Sequence, residues 1–247
     1  MIIVLWGDQG AGKTMFATGL ADPSVNNAYT TVRLSNCDTD DDTEYQYAEE
    51  DLEVVSITGD TSAARTRALL AEAQLMIQDT EQKYGAWIID GLDLFYADAV
   101  LDKFADAAER GGMPKMRMQL YVDPAQDTMM VVGSLVAVKR ARPDIMIVVI
   151  LGTRHDKTLV RGQLMDQRNP GLSKNVREGL GRRASWILEI EGTGGAPKIH
   201  ADRRSGHDWR KVRNREIARA VVDRCKSGDS PTLAELLALR EVVRTGE

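Results

Sequence analysis

A chain of 247 residues, 43% hydrophobic and 28% charged, is long enough for one α/β core and too apolar to be a disordered polymer. Its longest apolar runs, such as Ile145 to Leu151, fall far short of the roughly 20 residues that span a membrane, and no signal-peptide pattern opens it, so a cytoplasmic protein is expected. Cys37 and Cys225 lack C-x-x-C spacing, which argues against a disulfide framework or zinc knuckle; the net charge of -5 hides an asymmetry, with 9 Lys or Arg against 23 Asp or Glu in residues 1–138 and 23 against 14 in 139–247.

In chain order, Met1 to Trp6 is an apolar, β-branched run that breaks into glycines, which predicts a buried parallel strand feeding a turn. A helix is expected from Gly12 past Leu20, ending at Asp22-Pro23. Strands follow at Thr31 to Asn36, Leu52 to Ile57 and Ala86 to Ile89, with an acidic stretch from Asp38 to Asp51 and an amphipathic helix over Ser62 to Lys83 between them. From Leu92 the pattern is helical, broken at Gly111-Gly112, and a further helix covers Asp127 to Ala141. Strands are expected at Ile145 to Leu151, Trp186 to Ile190 and Lys198 to Ala201, the last two joined by a turn over Gly192 to Pro197. Helices at Asn214 to Lys226 and Thr232 to Val243 close the chain, with Thr232 and Glu235 spaced as a capping box. Alternating strands and helices specify an α/β fold, a mostly parallel sheet with helices on both faces. The expected division is a core domain over residues 1–212 and a C-terminal helical extension over 213–247.

Gly7-Asp8-Gln9-Gly10-Ala11-Gly12-Lys13-Thr14 matches G-x-x-x-x-G-K-[ST], a P-loop that, with Met15 just beyond, wraps nucleotide phosphates. Glycines let consecutive backbone N–H groups point inward, Lys13 bridges the β and γ phosphates, and the Thr14 hydroxyl ligates Mg²⁺. Trp87-Ile88-Ile89-Asp90 is an apolar strand ending in a carboxylate, the pattern that holds Mg²⁺ in such proteins, with Asp93 a second acid nearby. Gly91 follows Asp90, so the adjacent Asp-Glu pair of AAA+ proteins is absent and the catalytic base must come from elsewhere.

These features together resemble a RecA-like P-loop ATPase of the small type encoded by bacteriophages. The likeness covers about residues 1–215: the phosphate loop, Asn36-Cys37-Asp38 at a strand end, Ile57 to Thr61, Ile88-Ile89-Asp90-Gly91, the His155-Asp156-Lys157 triplet, Pro170 to Ser173, and the strands that lead to Arg203-Arg204. The resemblance implies an ATPase using ATP and Mg²⁺ that binds single-stranded DNA and helps complementary strands anneal in recombination, as a homo-oligomeric ring or filament. In that architecture the base stands at the end of the strand after the P-loop helix, where Asp38 would orient or deprotonate the attacking water; alternatively Asp38 to Asp42 are solvated loop acids. Polar residues at the end of Ile145 to Leu151, Thr153 and His155, would stand beside the γ-phosphate and report hydrolysis.

Residues 154–219 hold 16 Lys or Arg against 8 Asp or Glu. Arg161, Arg168, Lys174, Arg177, Arg182, Arg183, Arg203, Arg204, Arg210, Lys211 and Arg213 are candidates to neutralise DNA phosphates, with Trp209 or Trp186 available for stacking, although a core position is the first expectation for Trp186. Arg182, Arg183, Arg203 or Arg204 could instead be an arginine finger reaching a neighbouring subunit. A DNA-translocating or packaging motor of the HerA/FtsK type, a nucleotide kinase and a nucleotide-gated scaffold stay open as alternatives.

Overall fold

The computed structural model describes residues 1–21, 31–38, 52–109, 119–160, 163–192, 198–200, 211–212, 215–226 and 231–245. Candidate residues Arg161, Arg203, Arg204, Arg210 and Arg213, the break at Gly111-Gly112, most of the acidic stretch after Asp38 and the turn before Lys198 lie outside these.

Six parallel strands form the centre. They are β1 (Ile2–Trp6), β2 (Val32–Asn36), β3 (Leu52–Ser56), β4 (Ala86–Asp90), β5 (Met146–Leu151) and β8 (Trp186–Glu191). The spatial order is β8-β1-β5-β4-β2-β3, and β9 (Lys198–His200) and β10 (Lys211–Val212) pair antiparallel with β8 at one edge. Every residue of β1 and β5 is buried, because helices cover both faces. Alternation along the strands sorts two cores. Ile3, Leu5, Ile88, Val148 and Leu188 face α1 (Lys13–Thr18), the 3-10 turn Gly19–Ala21, α6 (Arg215–Lys226) and α7 (Leu233–Thr245). Ile2, Val4, Trp6, Trp87, Ile89 and Val149 face α2 (Ser62–Gln78), α3 (Leu92–Glu109), α4 (Gln119–Ala141) and α5 (Lys174–Arg183). The fold is the expected α/β sheet with helices on both faces. No helix among the described residues is long and apolar enough to cross a membrane.

Several elements differ from the sequence expectation, each for a visible reason. Helix α2 stops at Gln78 rather than Lys83, because the Asp79 carboxylate accepts the backbone N–H groups of Lys83 and Tyr84 at 2.9 Å each and turns the chain out of the helix. Helix α4 begins at Gln119, before the expected Asp127, and tolerates Pro124 in its second turn at the cost of one backbone hydrogen bond. Two elements were not expected at all. One is an antiparallel hairpin arm, β6 (Thr153–Val160) with β7 (Gln163–Pro170), and the other is α5. Both are rich in charged residues, and the ten-residue α5 gives the core only Val176 and Leu180, too few for an apolar periodicity to announce it.

From the C-terminal helices, Ile217, Val221, Leu233, Leu236 and Leu237 enter the same core as β1 and cover that face of the sheet. The capping box at α7 forms, with the Thr232 N–H donating to Glu235 Oε2 at 2.7 Å and the Glu235 N–H to Thr232 Oγ1 at 3.2 Å.

Candidate functional site

In a parallel sheet the C-terminal strand ends open onto one edge, and here they frame a cavity of about 500 Å³. Asp8, Gln9, Gly10, Lys13 and Thr14 line it from the phosphate loop, Asn36 and Asp38 from the end of β2, Asp90 and Asp93 from the β4–α3 junction, and Gly152 and Thr153 from the end of β5. Because β5 lies between β1 and β4, its end comes between the loop and Asp90.

The loop's shape follows from its glycines. Gly7 passes so close to β8 that an added Cβ would lie 2.0 Å from the Ile190 carbonyl oxygen, and Gly10 has a left-handed φ of 75°. The Ala11 N–H donates to the Asp8 carbonyl at 3.2 Å, closing the turn. Lys13 folds back over it, its Nζ donating to the carbonyls of Gly7 at 3.1 Å and Asp8 at 2.7 Å. Burial lowers the Lys13 pKa, and the carboxylates of Asp90, Asp93 and Asp8 oppose that shift.

Thr14 Oγ1 donates to Asp90 Oδ2 at 2.5 Å, across 76 residues of sequence. Burial pushes the Asp90 carboxyl above its ordinary value, against the pull of Thr14 and Lys13. Asp93 is raised by burial too, although the Gly152 N–H donates to it. Its fit is tight: a Cβ at Gly152 or Gly171 would come 2.7 Å from Asp93 Oδ2. Among the described residues, Asp93 Oδ1 and Thr153 Oγ1 are buried with no hydrogen-bond partner, so two polar atoms beside the cavity are left for a water or a ligand. Asp38 is exposed at the cavity mouth, and its backbone N–H donates to Asn36 Oδ1 at 2.9 Å. The Cys37 thiol beside it is buried, and burial raises its pKa out of the reactive range.

Other candidates stand elsewhere. His155 is exposed on the arm, cross-strand from Arg168, and does not line the cavity. The Met15 side chain is 76% exposed, outside the lining, and Ala11 is buried in the core beneath the loop. On α5, Lys174, Arg182 and Arg183 are exposed, whereas Arg177 Nη1 binds Asp156 Oδ2 at 3.2 Å within the arm. Lys211 lies on the edge strand β10.

Sequence reasoning missed one residue at the loop. Arg168, read there only as a possible DNA contact, reaches from β7 to Asp8 Oδ2 at 2.8 Å and to Glu191 Oε1 at 3.3 Å. Nothing local marks it, since 160 residues separate it from Asp8 and only the hairpin brings the two together.

No protein-family model matches the sequence, and no curated protein matches it. The chain is similar in structure to the flagellar accessory protein FlaH from Methanocaldococcus jannaschii over 80% of this chain and 75% of that chain, with 12% sequence identity and a TM-score of 0.39. A likeness that slight carries no function.

Proposed function

We propose that this chain is a Mg²⁺-dependent, RecA-like P-loop ATPase that acts on single-stranded DNA, as a homo-oligomer. The observation that carries the ATPase reading is the Thr14–Asp90 hydrogen bond of 2.5 Å beside Lys13, inside a cavity floored by the phosphate loop. A hydroxyl and a carboxylate in contact form a hard oxygen pair of the kind Mg²⁺ takes, completed by phosphate and water. Among the described residues no cluster of three or more His, Cys, Asp or Glu is placed to hold a metal by itself, which fits an ion that arrives with its nucleotide. Bound there, Mg²⁺ would neutralise charge on the phosphate oxygens.

The chain's own groups do the rest. Loop N–H groups hold the phosphates, and Lys13 exchanges the carbonyls of Gly7 and Asp8 for phosphate oxygens. Thr14 and Asp90 would hold the metal with the two oxygens that share a hydrogen bond here. Asp38, at the mouth with its backbone fixed by Asn36, orients the attacking water and takes its proton. Asp38→Asn should therefore bind ATP without turning it over.

The DNA reading draws on charge. Lys174, Arg182 and Arg183 project from α5 into solvent, where they can neutralise backbone phosphates. The test is ATP hydrolysis by the purified protein alone, with single-stranded DNA and with duplex DNA, at two salt concentrations. Stimulation by single strands supports the proposal. Stimulation by duplex alone replaces it with a translocating motor, and no response to either leaves a nucleotide kinase or a nucleotide-gated scaffold.

A further inference from the structure

The Arg168 guanidinium is the second cation at the phosphate loop, and it belongs to the arm rather than to the sheet. Its Nη2 lies 2.8 Å from Asp8 Oδ2, and its Nη1 lies 3.3 Å from Glu191 Oε1 and 3.6 Å from Glu189 Oε1. Glu189 is 2% exposed, so this cation offsets a carboxylate with almost no access to water. Arg168 Nε is buried without a hydrogen-bond partner among the described residues, so the guanidinium is not saturated where it stands. On the other side of Asp8, the backbone carbonyl holds Lys13 Nζ at 2.7 Å. One residue of the loop thus holds both cations, Lys13 through its main chain and Arg168 through its side chain.

That arrangement cannot be indifferent to a triphosphate. The Asp8 carboxylate lines the cavity in which phosphates would be held, and each added phosphate charge repels it while attracting the guanidinium beside it. We propose that Arg168 reads the terminal phosphate in cis: Asp8 and Glu191 hold it at the loop edge without nucleotide, and a nucleoside triphosphate, but not a diphosphate, draws it from Asp8. The arm follows the guanidinium, because Arg168 pairs in register with His155 and the Gly171 N–H donates to the Gly152 carbonyl at 2.9 Å, closing the base of the hairpin on the end of β5. Nucleotide state is then passed to the hairpin within one chain. This inference rests on the phosphate-loop reading and adds to it the group that distinguishes triphosphate from diphosphate.

The test is equilibrium binding of ADP and of the slowly hydrolysed analogue ATPγS, both with Mg²⁺, to the intact chain and to Arg168→Ala, Arg168→Lys and Asp8→Asn. Arg168→Ala should weaken ATPγS by about tenfold or more while ADP changes by less than about twofold, and Arg168→Lys should recover part of the loss. Asp8→Asn, which loosens the guanidinium by removing its anchor at the loop, should raise the ATPγS preference over ADP. If Arg168→Ala does not fold, Asp8→Asn alone decides the matter. A preference ratio unmoved in the variants, or ADP and ATPγS weakened equally as a purely structural clamp would give, overturns the role of Arg168 and leaves the phosphate-loop reading standing. Failure of the unsubstituted chain to bind either nucleotide overturns both.

Discussion

Replacing Gly7 by alanine places a Cβ 2.0 Å from the carbonyl oxygen of Ile190 and 3.1 Å from its carbon. A relaxed carbon–oxygen contact is about 3.3 Å, so the loop and the end of β8 must part by about 1.3 Å. Both sides of that contact are backbone, and the strands beneath are held in register at Leu5↔Leu188 and Trp6↔Glu189. No side-chain rotation can relieve it, so the cost belongs at or above the top of the usual overpacking range, about 3 kcal/mol. Gly10→Ala is a different perturbation, because nothing lies within 4 Å of its Cβ and only the left-handed φ of 75° is penalised, at about 1–2 kcal/mol. Gly19→Ala meets nothing within 4 Å and has a φ of -55°, so it should be neutral or stabilise by up to about 1 kcal/mol. Urea unfolding of the three variants should rank them in that order, and Gly7→Ala should lose affinity for a fluorescent ATP analogue along with stability. A Gly7→Ala protein as stable as Gly10→Ala would refute the close approach of loop and β8.

Asp90→Asn can still accept the Thr14 hydrogen bond, and it removes a charge that burial disfavours. Folding stability should hold or rise slightly and nucleotide should bind without Mg²⁺, while Mg²⁺-dependent turnover falls by about 100-fold or more; unchanged turnover would remove Asp90 from the metal site. At the opposite end of the sheet, Arg142, whose side chain is 7% exposed, binds Asp79 Oδ2 at 2.7 Å, Asp144 Oδ2 at 2.6 Å and the Tyr84 carbonyl at 3.0 Å. Arg142→Ala strands the Asp79 carboxylate and should cost about 3 kcal/mol in a denaturant melt, with turnover per folded molecule unchanged. The Arg142 hydrogen bond holds the Asp144 carboxyl below its ordinary value. Asp79 also lies low, because the Tyr84 N–H and Arg142 outweigh the burial that would raise it. Depressed carboxyls stabilise the fold above their unfolded pKa, near 4, and that contribution disappears as pH falls through the folded values. The stability gap between the unsubstituted chain and Arg142→Ala should therefore shrink below pH about 4, and a gap constant from pH 7 to 3 would contradict the pairing.

What was legible in the sequence is what burial writes into it. The runs at Ile2–Trp6 and Met146–Leu151 are apolar throughout because helices cover both faces of their strands, so their positions could be read directly. The phosphate loop was legible because its chemistry fixes residue types at close spacing. The arm was not, since β6 and β7 stabilise each other by cross-strand pairing and are polar over Thr153 to Thr158 and Asp166 to Asn169. Asp93 was visible only as a nearby acid; that it is buried against Gly152 and Gly171 depends on contacts more than 50 residues away in sequence. Arg168 was one arginine among many in a basic segment, and only the hairpin register sets it against Asp8. The α6 and α7 segments were legible as a helical extension, and nothing in them says which sheet face they complete.

The central claim is that the phosphate loop binds and cleaves a nucleoside triphosphate. It is tested most directly by phosphate release from Mg²⁺-ATP by the purified chain and by Lys13→Ala, with and without single-stranded DNA. The account predicts turnover by the unsubstituted protein that Lys13→Ala abolishes, together with a large loss of ATP affinity. Equal turnover by the two proteins would place the chemistry away from Lys13 and contradict the account.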